Sequence, residues 1–242
     1  MTVPFGGLAG WAFWLAAAGA VLVIGGPVLH RLGVLGLGPA LLAVPLGGVL
    51  SLLAVILTAF IFVGGRPMPA GRTPTLAAAG LAILTGVVPL MLVVPGFGVP
   101  QIHDITTDPD DPPRFLAVMP LRGETANSLD YPPETARAQR EGYSDLSTVT
   151  MPGEPAALVE RSREVAAELG WDIVDVDPDG GRLEASETTF WFGFIDDVVV
   201  RIRPAGGGSE IDVRSVSRVG VSDLGANAAR IRRFINRLQS SS

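Results

Sequence analysis

Three stretches carry no charged side chain, Met1–Leu29, Leu32–Gly65 and Thr73–Ile102, and each exceeds the roughly 20 helical residues that a bilayer's hydrocarbon core requires. Apolar runs of this length are more than a 242-residue chain needs for a soluble core, so they predict an α-helical transmembrane anchor of three helices. Turn-forming residues at Gly33–Pro39, Gly64–Gly71 and Pro95–Pro100 set the spans at about 11–29, 41–62 and 76–94. From Asp104 onward the composition changes to that of a water-soluble domain. The predicted organisation is a transmembrane anchor over 1–100, an extended juxtamembrane arm over 101–153 and an α+β core over 154–239.

Charge divides along the same line. Arg31, Arg66 and Arg72 are the only basic residues of the 18 that precede His103, and all 24 carboxylates follow it. The soluble part therefore carries 15 arginines against 24 acids, a net charge of about −9, which makes it a poor holder of nucleic-acid phosphates. No lysine is present, and arginine's bidentate geometry would account for a few such choices but not for all of them; a compositional bias explains the rest. The absence of cysteine removes disulfides, thiolate metal sites and a Cys nucleophile from consideration.

The first stretch lacks the positively charged start and small-residue cleavage site of a signal peptide, so it reads as a retained span. With Arg66 and Arg72 in the second connection and only Arg31 in the first, the positive-inside rule places the second connection in the cytoplasm. Three crossings then place the soluble domain outside. Pro27, Pro45, Pro89, Gly25, Gly26, Gly47, Gly48 and Gly86 are read as sites of kinking or close backbone approach rather than as a conduction path, since ion pathways use ionisable intramembrane groups. Trp11 and Trp14 read as interfacial anchors.

In the soluble part, Pro- and Asp-rich residues 103–153 predict an arm with strand pieces at Phe115–Met119 and Ser147–Met151. A helix is predicted over Pro155–Leu169, with Pro155 in its first turn and Gly170 closing it. Strands follow at Trp171–Val176, Arg182–Phe190, Ile195–Arg203 and Glu210–Val219, the last two joined through Gly206-Gly207-Gly208. A closing helix runs from Ser222 or Asp223 to Leu238. This order predicts a soluble α+β domain, an antiparallel sheet with two helices on one face. Pairing Arg203 with Glu210 sets Ile202 against Ile211 and Val200 against Val213 on the core side, with Arg201 against Asp212 on a face expected to be wet. The aromatic group Phe190, Trp191, Phe192 and Phe194 is expected to be core or a sheet-end plug.

The densest polar run is Arg214-Ser215-Val216-Ser217-Arg218-Val219-Gly220-Val221-Ser222-Asp223-Leu224-Gly225-Ala226-Asn227-Ala228-Ala229-Arg230-Ile231. With Phe194–Ile202 and Ile102–Asp108, it closely resembles the bacterial domain-of-unknown-function family 1499, and the resemblance covers most of residues 101–239. It supplies a domain and no reaction. The resemblance implies apolar N-terminal segments like these; the expected inner-membrane setting, with the soluble domain on the periplasmic side, follows from the three spans and their arginine balance.

The run itself reads as a strand, a tight turn and a helix N-terminus. One reading makes Arg214, Ser217, Arg218, Asp223, Asn227 and Arg230, with Asp197, the holder of a carboxylate or phosphate, such as a lipid headgroup or envelope polymer. The competing reading has Asp223 cap the helix and bind Arg218, while Asn227 satisfies strand backbone. Asp196 and Asp197, adjacent on a strand, point to opposite faces and cannot form a glycosidase-type pair. His103, Asp104, Asp108, Asp110 and Asp111 lack the spacing of an EF-hand, and neither a metal nor another cofactor is expected. No Gly-x-Ser-x-Gly elbow and no histidine within the domain proper support nucleophilic catalysis, and no catalytic residue is assigned. The resulting expectation is a domain that binds a ligand or partner: an anionic small molecule, a lipid headgroup or another membrane protein. Rival readings are an envelope-modifying enzyme using Asp197, Arg218 and Asp223, and a structural subunit of a membrane complex.

Overall fold

The computed structural model describes residues 7–64 and 72–240, which form two compact units. One holds the described residues up to Pro95 with Trp191–Gly193; the other holds Gly96–Phe190 and the chain from Phe194 on.

In the first unit, α1 (Gly7–Arg31) and α2 (Leu37–Val63) are both long and apolar enough to cross a bilayer. The third apolar stretch is helical but broken, running as α3 (Arg72–Ala82), a π turn (Ile83–Val87), α4 (Val88–Val93) and a 3-10 turn (Val94–Gly98). Pro89 supplies the cause: without an N–H it cannot bond to the carbonyl of Thr85, and its ring crowds that turn. Small residues line the inside of this unit. Ala12, Ala16, Ala40, Ala54 and Ala82 are buried, while Val21, Leu42, Leu46 and Ile56 are exposed. That inside-out sorting suits lipid as the solvent, where small residues admit close backbones and large apolar side chains face outward. A Cβ on Gly19 would fall 2.3 Å from Ser51 Oγ, and one on Gly47 would fall 2.6 Å from the Gly19 carbonyl oxygen. Gly26 and Gly86 are crowded in the same way, whereas Gly25 and Gly48 face open space. Ser51 and Thr85 share a hydrogen bond of 2.9 Å. Trp11 and Trp14 are exposed.

The second unit is built on a six-stranded antiparallel sheet in the order β1-β6-β5-β4-β3, with β2 also on β6. Its strands are β1 (Asp104–Thr106), β2 (Val149–Met151), β3 (Asp172–Asp177), β4 (Arg182–Thr188), β5 (Ile195–Ala205) and β6 (Gly208–Ser217). The β5–β6 register pairs Arg203 with Glu210, Ile202 with Ile211 and Arg201 with Asp212, as the alternation of apolar residues requires. Both α6 (Pro155–Glu168) and α7 (Ala226–Ser240) cover one face. Their Leu158, Val159, Val165, Ile231, Phe234 and Leu238 pack with Leu183, Val198, Val200, Ile202, Ile211 and Val213.

Several expectations are corrected. The opposite face is not wet, because the arm lies across it: Phe115 and Val118 pack on Val199 and Val216, with Leu129 and Val174 at the margin. Phe115–Met119 is no strand, because the arm there turns into a 3-10 turn at Met119–Leu121 and gives two of its amides to Glu184. The arm instead holds β1 and α5 (Pro133–Gly142). Gln139 of α5 explains their docking, since its side chain accepts from the Thr106 amide at 2.9 Å and donates to the Thr106 carbonyl at 2.5 Å. The aromatic group is not core: Phe190 is 94% exposed, and Trp191, Phe192 and Phe194 are half-buried. It sits in the β4–β5 connection, where Thr189 and Phe194 close the turn.

Candidate functional site

Alternation along β5 and β6 sends neighbouring polar residues to opposite sides of the sheet, so the sheet divides the sequence-predicted site in two. On the arm side lie Arg214, Arg218 and Asp197. On the helix side lie Ser217, Asn227, Arg230 and Asp223.

Asp197 is wholly buried. It accepts from Arg218 Nη2 at 2.7 Å and Nε at 3.0 Å, from Ser186 Oγ at 2.8 Å, and from Arg122, which reaches in from the arm. Arg218 also donates to the Leu121 carbonyl at 2.8 Å. Burial lowers the pKa of Arg122 from its ordinary value, and Asp197 works against that shift. Arg214 forms a second such centre, with its guanidinium on both oxygens of Asp104 at 3.0 and 2.6 Å and on the carbonyls of Pro113 and Leu129. Phe115 and Tyr131 lie over it at 5.3 and 5.6 Å, a cation–π arrangement. Burial pushes the Asp104 carboxyl above the usual range, with Arg214 pulling it back.

On the helix side, Arg230 binds Asp196 at 2.5 Å, Ser215 Oγ at 3.0 Å, and both Glu187 and Asn227. Asn227 is completely enclosed. Its amide donates to the His103 carbonyl at 2.9 Å and to Ser217 Oγ at 3.0 Å, and its oxygen accepts from Ser215 at 2.8 Å. Asp223 accepts from the amides of Gly225 at 2.8 Å and Asn227 at 2.7 Å, which caps the start of α7. Burial raises its pKa. The predicted Asp223–Arg218 contact does not form, because Arg218 is taken by Asp197 on the other side of the sheet. Adjacent Asp196 and Asp197 each meet their own arginine, as their opposed directions require.

Two further buried acids complete the arm-side layer. Glu184 accepts from the amides of Leu116 at 2.8 Å and Val118 at 2.9 Å. Asp212 accepts from Thr148 at 2.6 Å and from Arg201 and Arg203 at 2.9 Å each. Burial opposes the charge of Arg201, but the hydrogen bond and charge of Asp212 outweigh it and raise its pKa. Arg122, Glu184 and Ser186 were not singled out from the sequence. Glu184 and Ser186 are signalled by their alternation with Leu183 and Ala185 on β4. Nothing local marks Arg122, which lies 75 residues from its partner.

Chemically, the layer is a set of charge-assisted hydrogen bonds in which each buried carboxylate has fixed donors. Among the described residues no three His, Cys, Asp or Glu side chains converge as ligands for a metal ion. The family described as "Protein of unknown function (DUF1499)" matches residues 104–238. No curated protein matches the chain.

Proposed function

The chain belongs to the DUF1499 family, and on that basis we propose that it is a three-span bacterial inner-membrane protein displaying its α+β unit outside the cytoplasm as a binding domain. The domain holds a ligand or partner, an anionic envelope component, and performs no chemistry on it. The observation that carries this reading is the saturation of Asp104, Asp196 and Asp197 by Arg214, Arg230, Arg122 and Arg218. An acid held by fixed guanidinium donors is poorly placed to shuttle protons in general acid–base catalysis. The rival enzyme would need Asp197, Arg218 and Asp223 to converge, and Asp223 lies across the sheet from the Asp197–Arg218 pair. The rival structural subunit would present small-residue faces, yet Gly19, Gly26, Gly47 and Gly86 are used between the chain's own helices.

Under this reading Arg214, Ser217, Arg218, Asp223, Asn227, Arg230 and Asp197 hold the domain in shape, and the ligand meets a surface that this frame supports. The positive-inside balance of Arg66 and Arg72 against Arg31 supports the outward orientation. A reporter that matures only outside the cytoplasm, fused after Ser242, is expected to be active; activity confined to a cytoplasmic reporter would reject the orientation. For the frame, Arg218→Ala is expected to lower the denaturation midpoint of the full chain while phosphate binding stays unchanged. Loss of binding at unchanged stability would return Arg218 to the ligand site.

A further inference from the structure

Neither the apolar core nor the ion-pair frame uses the tip of the β4–β5 hairpin. No charged residue stands between Glu187 and Asp196, and Phe190, Trp191, Phe192 and Phe194 fall within that gap. The turn is closed by the Thr189 amide on the Phe194 carbonyl at 2.7 Å and by the Phe194 amide on Thr189 Oγ1 at 2.9 Å, and it leaves Phe190 94% exposed. Strand register sets two further connections at the same end of the sheet, since Thr188 pairs with Ile195, Asp196 with Ser217 and Asp104 with Val216. One is the β6–α7 turn, which exposes Val221 and Leu224. The other is the chain entering β1 from the third apolar stretch. The two are joined, because the Asp223 amide donates to the Ile102 carbonyl at 3.2 Å and a Cβ on Gly96 would fall 2.5 Å from that of Leu224. Gly96 lies in the 3-10 turn that ends the stretch. Six residue steps separate Gly98 from Asp104, so at roughly 3.3–3.6 Å each they tether this end of the sheet within about 20 Å of that turn. Trp191–Gly193 also belong to the same compact unit as α1 and α2. There the Phe192 ring lies 6.4 Å from that of His30, and a Cβ on Gly193 would fall 3.2 Å from Arg31 Cγ. His30 and Arg31 end α1, and the basic end of an apolar span marks the level of the bilayer's interface.

From this placement we infer that the β4–β5 tip, with Val221 and Leu224 of the β6–α7 turn, is a membrane-docking surface that rests in the interfacial layer of the bilayer holding the anchor. The inference rests on the bilayer-spanning part of the reading above and is independent of what the domain binds. A single exposed apolar side chain needs no explanation, but a contiguous exposed group marks a contact surface. Lipid is the occupant because Trp191–Gly193 are held at the end of a span and the neighbouring turn rests on the exit of the third stretch. Aromatic rings suit that layer, where one part of the ring meets hydrocarbon and another meets water. Phe190–Phe194, Val221 and Leu224 include no basic residue, so docking draws on apolar burial and not on the charge of anionic headgroups.

The chain has no cysteine, so a single introduced cysteine can carry a nitroxide label in the full chain reconstituted into phosphatidylcholine vesicles. Three variants are compared: Phe190→Cys at the tip, Val49→Cys at an exposed position midway along α2, and Asp179→Cys in the exposed β3–β4 turn at the other end of the sheet. At each label, collisions with oxygen, which concentrates in lipid, are measured against collisions with a nickel chelate, which stays in water. The oxygen-to-nickel ratio at the Phe190 site is expected to lie severalfold above that at the Asp179 site and below that at the Val49 site. Replacing part of the phosphatidylcholine by phosphatidylglycerol is expected to leave it unchanged. A ratio at the Phe190 site equal to that at the Asp179 site, with the Val49 site in lipid, overturns the docking surface and leaves the spans in place. A water-like ratio at the Val49 site overturns both. Dipolar broadening at the Phe190 site that disappears on dilution with unlabelled chain puts a second copy there and overturns lipid as the occupant, and a raised ratio seen only with phosphatidylglycerol overturns docking by apolar burial.

Discussion

On one side of the sheet, Phe234 stacks on Trp171 with ring centroids 5.1 Å apart, inside an apolar layer that the buried Arg230–Asp196–Asn227 cluster interrupts. On the other, four buried carboxylates, Asp104, Glu184, Asp197 and Asp212, join the sheet to the arm through arginines, amides and hydroxyls drawn from both. The helices and the arm both shield the sheet from water, by different physics. Apolar contact is non-directional and tolerates approximate shape, whereas a buried acid demands particular donors at particular distances. The apolar part of the first face makes no such demand on the helices that cover it. The second is specific to this arm.

Two truncations set the scale of that contrast. Phe234→Ala is expected to cost about 3–5 kcal/mol by leaving a cavity under Trp171, read by chemical denaturation of the full chain in micelles. Asp197→Ala is expected to cost about 3–5 kcal/mol as well, because Arg122 and Arg218 remain buried without their counter-charge. Replacing Asp197, Arg122 and Arg218 together by leucine should recover most of that loss; if it does not, the arm-side layer depends on more than charge pairing. A smaller effect follows at Glu184→Gln, which keeps one acceptor for the two arm amides and loses the other, at about 1–3 kcal/mol. Its signature is faster exchange of the Leu116 or Val118 amide with no change in α6 and α7.

The smallest expected effect is on pH dependence and concerns the helix side. Burial raises the folded-state pKa of Asp223 above 3.8, so between 3.8 and that raised value the folded chain holds more protons than the unfolded one. Stability on this account falls as pH rises through the window and is recovered as pH falls. Asp145 acts in the opposite sense, since its hydrogen bonds from Arg232 lower its pKa and its contribution is lost only in stronger acid. Comparing denaturation midpoints of wild type and Asp223→Asn from pH 7 to pH 4 isolates the first effect. Wild type should gain relative to the variant as pH falls, and a relative loss would contradict the assigned burial.

Legibility followed the same physics. The helices α6 and α7, strands β3–β6 and the pairing of Ile202 with Ile211 could be read from periodicity, because each is a local pattern that burial enforces. The arm could not be read in this way. Its β1 strand is three residues long, its α5 helix is mostly polar, and both are fixed by Gln139 reaching Thr106 across 33 positions. The face assumed to be wet carried the same alternating charges that a solvated face would carry, and only the arm's placement shows them to be buried. For the candidate site, the run from Arg214 to Arg230 was visible as a polar cluster. Its division by the sheet was not visible there, since sequence proximity across a strand end does not say which side of the sheet each residue joins.

By itself, the sequence pointed to three apolar spans, two of which are helices long and apolar enough for a bilayer, and to a separate antiparallel α+β unit after them, because hydrophobic length and period are properties of neighbouring residues. Tertiary structure decided which carboxylate meets which arginine. Ion pairing acts over a few ångströms, and partners such as Asp104 and Arg214 stand 110 residues apart until the arm closes over the sheet.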